Sequence, residues 1–140
     1  MKYIYLKISC LLCLLFVLNA SCVDRNNAVP YTKVNFTVLV SSSNLIHVGG
    51  YDYFTGGISG ILIYRLDMNT FYAYDRACPY DWEDNGYVIF DPASMQLKCE
   101  TCGSTFNILN GYPMENSKAA SPLRLYQTNF IDDITLHVYN

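Results

Sequence analysis

From residue 31 onward the chain is a series of short apolar runs broken by turn-forming residues. Lys33 to Val40 alternates, with Val34, Phe36, Val38 and Val40 on one face, and its β-branched content predicts a half-buried strand. Ser41 to Asn44 reads as a turn and Leu45 to Val48 as a second strand. Ile58 to Leu66 and Phe71 to Tyr74 read as two more, with Asp67-Met68-Asn69 as the hairpin turn between them, and Gly49-Gly50 and Gly56-Gly57 break the chain upstream. Tyr87 to Phe90 and Gln96 to Cys99 pair across Asp91-Pro92-Ala93-Ser94. Pro122 to Tyr126 and Ile134 to Tyr139 repeat the arrangement, with Asn129 to Asp133 turning. No window longer than about ten residues has helical periodicity. Residues 31–140 are therefore expected to form one all-β domain of short strands, since two domains would leave each too little interior to offset chain entropy.

The first 21 residues have a different pattern. Lys2 and Lys7 precede an apolar run from Ile8 to Leu18, and small residues follow it. This is the layout of an export signal, and the run is too short for a permanent membrane span. Leu18-Asn19-Ala20-Ser21-Cys22 resembles the lipobox of bacterial lipoproteins, apart from Asn19 where such boxes usually carry an apolar residue. The resemblance implies a signal peptide over 1–21, acylation at Cys22, and a lipidated tether over 22–30. It places the domain in the bacterial cell envelope, exported and lipid-anchored to a periplasmic or outer-membrane surface without a transmembrane helix. Cleavage near Ala20-Ser21, with Cys22 left as a thiol, is the simpler alternative.

Charge narrows the range of partners. Removal of residues 1–21 takes away two of the nine basic residues and none of the twelve acidic ones, leaving a net charge of −5. No basic stripe runs along any segment, which argues against nucleic acid. The 13 tyrosines suit sheet surfaces where rings pack across strands. Tyr51-Asp52-Tyr53-Phe54 and Tyr80-Asp81-Trp82-Glu83-Asp84 offer aromatic contact area. Glu83 and Asp84 alone make a weak case for a glycosidase pair, because nothing in the sequence sets their separation.

Cys78, Cys99 and Cys102 are the chemically informative residues, and all fall at strand ends. Three thiols outside the cytosol cannot all pair internally, so one is free or the three act on a metal. Ala77-Cys78-Pro79-Tyr80, Cys99-Glu100-Thr101-Cys102-Gly103-Ser104-Thr105-Phe106, Gly111, and Ala119-Ala120-Ser121-Pro122-Leu123 with Tyr126 together resemble the Rieske iron-sulfur domain. That family opens one loop with C-x-H and the second with C-x-x-H-G-S, and a proline segment before P-L closes over the site. The resemblance covers about half of the chain after residue 21 and implies short antiparallel sheets carrying two cysteine-bearing loops.

The ligand set departs from the family. Cys78 and Cys99 match the cysteine pair, but Tyr80 stands at the first histidine position and Cys102 at the second. The histidines, His47 and His137, lie in apparent strands outside the motif and read as structural.

The resemblance implies electron transfer through a [2Fe-2S] cluster, as a redox component without a catalytic site of its own, with a cluster-free module as the alternative; three outcomes for the loops follow. A [2Fe-2S] cluster held by Cys78, Cys99 and Cys102, with an oxygen ligand from Tyr80 or Asp81, would transfer electrons to a redox partner protein at a lowered potential, because anionic ligands replace neutral imidazoles. Zinc would be satisfied by three thiolates and one further donor. With no metal, a disulfide from Cys78 to Cys99 or Cys102 would staple the loops of a structural or binding module. The resemblance also implies a hydrogen bond from Ser104 to a bridging sulfide. Phe106 reads as a core residue at a strand start, and Gly103 and Gly111 as positive-φ positions.

Overall fold

The structure, a computed structural model, describes residues 29–140; the signal segment, Cys22 and most of the tether lie outside the described residues. Nine strands form two antiparallel sheets: β1 (Asn35–Leu39), β2 (Tyr51–Phe54), β3 (Ile61–Arg65), β4 (Phe71–Asp75), β5 (Val88–Asp91), β6 (Gln96–Cys99), β7 (Thr105–Asn107), β8 (Leu125–Ile131) and β9 (Thr135–Tyr139). The larger sheet has the order β1-β9-β8-β4-β3-β2 and the smaller one β5-β6-β7. The all-β expectation holds, with only single turns of 3-10 helix at Val40–Ser42, Asn44–Ile46 and Trp82–Asp84 among the described residues.

Two cores explain the hydrophobic pattern. β3 is buried along its whole length because its faces point into different cores. Ile61 and Ile63 pack with Val38, Phe71, Leu136 and Val138 on one side. Leu62 and Tyr64 pack on the other with Tyr74, Phe90, Leu97 and Phe106, and this second cluster joins the small sheet to the large one. Cys78 and Cys99 belong to it, so the thiols sit where the two sheets meet.

Three segments differ from what their sequence predicts. Leu45 to Val48 is not a strand; Asn44–Ile46 is a 3-10 turn capped by the Ser43 hydroxyl, which accepts from Leu45 N at 3.3 Å. The buried Arg65 guanidinium donates to the carbonyls of Leu45 and Ile46, both at 3.0 Å, and so takes acceptors that a sheet ladder would use. Asn129 to Ile131 belongs to β8, and the reversal is confined to residues 132–134, with Asp132 and Asp133 at left-handed φ. Tyr51–Phe54, read only as a contact surface, is the edge strand β2.

Candidate metal centre

The first cysteine loop leaves β4 under tight constraint. The fully buried Asp75 carboxylate accepts from Ala77 N at 2.9 Å, and an isolated bridge pairs Ala77 with Tyr87. Cys78 N donates to Gly86 O at 3.0 Å, while Asp81 N and Trp82 N donate to Cys78 O at 3.2 and 2.9 Å. This turn brings the Cys78 sulfur and the Asp81 carboxylate to one side, with Asp81 only 6% exposed.

The second loop closes between β6 and β7. Gly103 N donates to Cys99 O at 3.0 Å and Cys99 N to Ser104 O at 2.8 Å, with Gly103 at φ +80 in the left-handed region that glycine tolerates. The segment before β8 is tied in by Ser104, whose hydroxyl accepts from Lys118 N and Ala119 N, both at 3.0 Å, and lies 3.1 Å from the Cys102 sulfur.

Four donor atoms converge here, from Cys78, Asp81, Cys99 and Cys102, all within 4.8 Å of one another. The Cys78 and Cys102 sulfurs are 3.7 Å apart, and the Cys99 sulfur is 3.4 and 3.7 Å from the two Asp81 oxygens. Among the described residues, Cys78, Cys99 and Cys102 are unbridged.

The backbone is arranged for sulfur anions. N–H groups of Thr101 and Cys102 point at the Cys99 sulfur, and that of Tyr80 at the Cys78 sulfur. The hydrogen bond from Cys78, reinforced by these amides and opposed by burial, holds the Cys99 thiol down to about 6. The same bond, then burial, pushes Cys78 far up, and burial raises Cys102.

The other sequence candidates are placed as follows. The Tyr80 side chain is half-buried and packs against the smaller-sheet core, with Lys118 Nζ 6.0 Å from the centre of its ring. Ser104 binds backbone amides and Cys102, as above. His47 is exposed, and His137 lies on the larger sheet with Nε2 2.7 Å from Asn35 Oδ1; neither joins the donor group.

Two residues that position the site escaped the sequence reading. A Cβ at Gly86 would sit 1.9 Å from Asp81 Oδ1 and 2.8 Å from Asp81 O, so the carboxylate occupies space that only glycine leaves open. Its signal was the Asn85-Gly86 turn dipeptide. Asp75 showed only as a carboxylate closing an apolar strand.

The donor spacing can be set against the group that the resemblance implies. A [2Fe-2S] cluster carries its ligands in two pairs, and ligands on different irons are separated by both irons and the sulfides between them. By the family match Cys78 and Cys102 would serve different irons, yet their sulfurs are 3.7 Å apart. A single tetrahedral ion with metal–sulfur bonds of about 2.3 Å and metal–oxygen bonds of about 2.1 Å gives ligand separations of about 3.6–3.8 Å. The Cys78–Cys102 and Cys99–Asp81 separations match one ion, and with all four donors within 4.8 Å the group is too compact for ligands on two irons.

No family model matches the sequence, and no curated protein sequence matches it. Solved structures do. A chain from a complex of reduced oxygenase and oxidized ferredoxin in carbazole 1,9a-dioxygenase is 18% identical, with a TM-score of 0.53 over 77% of this chain and 94% of its own. The ferredoxin of carbazole 1,9a-dioxygenase from Nocardioides aromaticivorans is 20% identical over 76% of this chain and 97% of its own, with a TM-score of 0.48. A protein assigned as the small subunit of an NADH-dependent nitrite reductase from Mycobacterium tuberculosis is 13% identical over 79% and 97%, with a TM-score of 0.47. At these identities the likeness is one of fold, its weight resting on the first of the three, and the fold is Rieske-like.

Proposed function

We propose that this Rieske-like domain is an exported, lipid-anchored binding or structural module whose two cysteine loops are joined by metal, and that it is not a [2Fe-2S] electron carrier. One observation carries the reading: three sulfurs and a carboxylate stand within 4.8 Å of one another, with no imidazole among them. The signal pattern and the Cys22 lipobox support tethering to an envelope membrane, and the net negative charge supports a protein partner over nucleic acid. Electron transfer to a redox partner is the second reading, favoured by the similarity to the chain from the oxygenase–ferredoxin complex. Visible absorption, iron content and acid-labile sulfide of the purified protein distinguish the two. A colourless protein without sulfide is expected; a sulfide-containing chromophore that bleaches on reduction would establish the electron carrier instead.

A further inference from the structure

We infer that Cys78, Asp81, Cys99 and Cys102 form a closed tetrahedral site for a single zinc-type divalent ion, with Asp81 as the fourth ligand and Gly86 as the residue that positions it. The assignment rests on the cluster-free reading above and makes it specific. Three arguments support it.

The first is distance. Cys78 to Cys102 at 3.7 Å, and Cys99 to Asp81 at 3.4 and 3.7 Å, lie close to the edges of a tetrahedron around one ion of this size. The second is the second loop itself. Gly103 N donates to Cys99 O at 3.0 Å and Cys99 N to Ser104 O at 2.8 Å, closing the Cys99-x-x-Cys102 turn so that both of its sulfurs fall in the one donor group. The third is the room made for Asp81. Gly86 N donates to Asp81 O at 2.8 Å, and any side chain at 86 would collide with the carboxylate.

The chemistry also favours one closed ion. Cys78 and Cys99 are fully buried and Asp81 nearly so, and four protein donors leave no position for water, the arrangement of a structural site. When the ion enters, each thiol still protonated gives its proton to solvent and its sulfur takes the metal bond. No electron moves.

The test uses purified protein stripped of metal under reducing conditions and titrated with cobalt(II), whose ligand-field bands report tetrahedral geometry and whose charge-transfer bands report bound thiolate. Saturation at one ion per chain is expected, with zinc displacing cobalt. Asp81→Asn should shift the ligand-field bands and weaken binding by about tenfold or more. Asp81→Glu, which keeps a carboxylate, should recover part of that loss. Gly86→Ala should weaken binding while the thiolate bands persist, and Tyr80→Phe should change neither spectrum nor affinity.

Failure takes distinguishable forms. Copurified iron with acid-labile sulfide would overturn both this assignment and the cluster-free reading. A folded, colourless wild-type protein that binds no ion would overturn the assignment and the metal link of the proposed function, while leaving the cluster-free reading standing; one that binds an ion with non-tetrahedral or thiolate-free spectra would overturn the assignment alone. So would an Asp81→Asn variant with wild-type spectrum and affinity, or a Tyr80→Phe variant that loses them. Since the wild-type titration gives stoichiometry and geometry by itself, the inference stays open to refutation even if a variant does not fold.

Discussion

Asp75 has no exposed surface and accepts four hydrogen bonds, from Ile58 N at 2.8 Å, Ser59 N at 3.2 Å, Ala77 N at 2.9 Å and the Tyr126 hydroxyl at 2.8 Å. A buried carboxylate is tolerable only when its lone pairs are satisfied in this way. It ties the loop before β3, the strand β8 and the start of the first cysteine loop to the end of β4. Asp75→Asn keeps the volume but turns a donor toward donors already present, so a loss of about 2–3 kcal/mol in urea unfolding is expected. Tyr126→Phe removes one bond and leaves the others, and should cost about 1.5 kcal/mol. Equal costs for the two would show that the carboxylate network is not what holds this corner.

At the scale of elements, two hairpins are closed by aspartates that brace their own turns. Asp67, between β3 and β4, accepts from Asn69 N at 2.9 Å and Thr70 N at 2.8 Å, and these bonds lower its carboxyl below the ordinary range. Asp91, the last residue of β5 before the turn to β6, is lowered by the Ser94 hydroxyl at 2.7 Å and by Ala93 N at 3.0 Å. A carboxylate lowered in the folded state stabilises above its unfolded pKa, and that contribution disappears as pH falls through the folded value. The Asp67→Asn, Asp91→Asn double variant should therefore melt below the wild type at neutral pH, begin to approach it as the pH falls under about 4, and converge with it only below the lowered folded values. Melting curves across that range check this; a gap of constant size would mean that the charge is irrelevant to the turns.

For the whole molecule, the division into two cores gives loss of the proposed ion a direction. Cys78 and Cys99 are part of the cluster that seats the small sheet, whereas β1 and β9 pack in the other cluster. An ion bound only by the folded state stabilises by mass action, about 4 kcal/mol when free ion exceeds its dissociation constant ~1,000-fold. Chelation under reducing conditions should lower the melting temperature. Amide exchange should rise first in the two cysteine loops and in β5, β6 and β7, while β1 and β9 keep their protection. Uniform loss of protection would place the metal outside the junction of the sheets.

Strand positions and turn chemistry were legible in the residues because each is encoded within a few neighbours: β6 spans Gln96–Cys99 as expected, and Gly103 and Gly111 both have positive φ. The order of the cysteine loops, and with it the Rieske-like fold, could be read the same way. The turn at Leu45 could not, since its apolar run looks like a strand until Arg65, 20 residues away, takes its carbonyl. The donor geometry was equally hidden. Cys78 and Cys102 are 24 residues apart, and their separation is set by how the small sheet packs on the large one. The motif puts Tyr80 at the ligand position, with Asp81 only its neighbour; in the packed chain it is Asp81, beside Gly86, whose carboxylate lies with the sulfurs. Local periodicity determines elements, but the approach of distant side chains is a property of the packed chain.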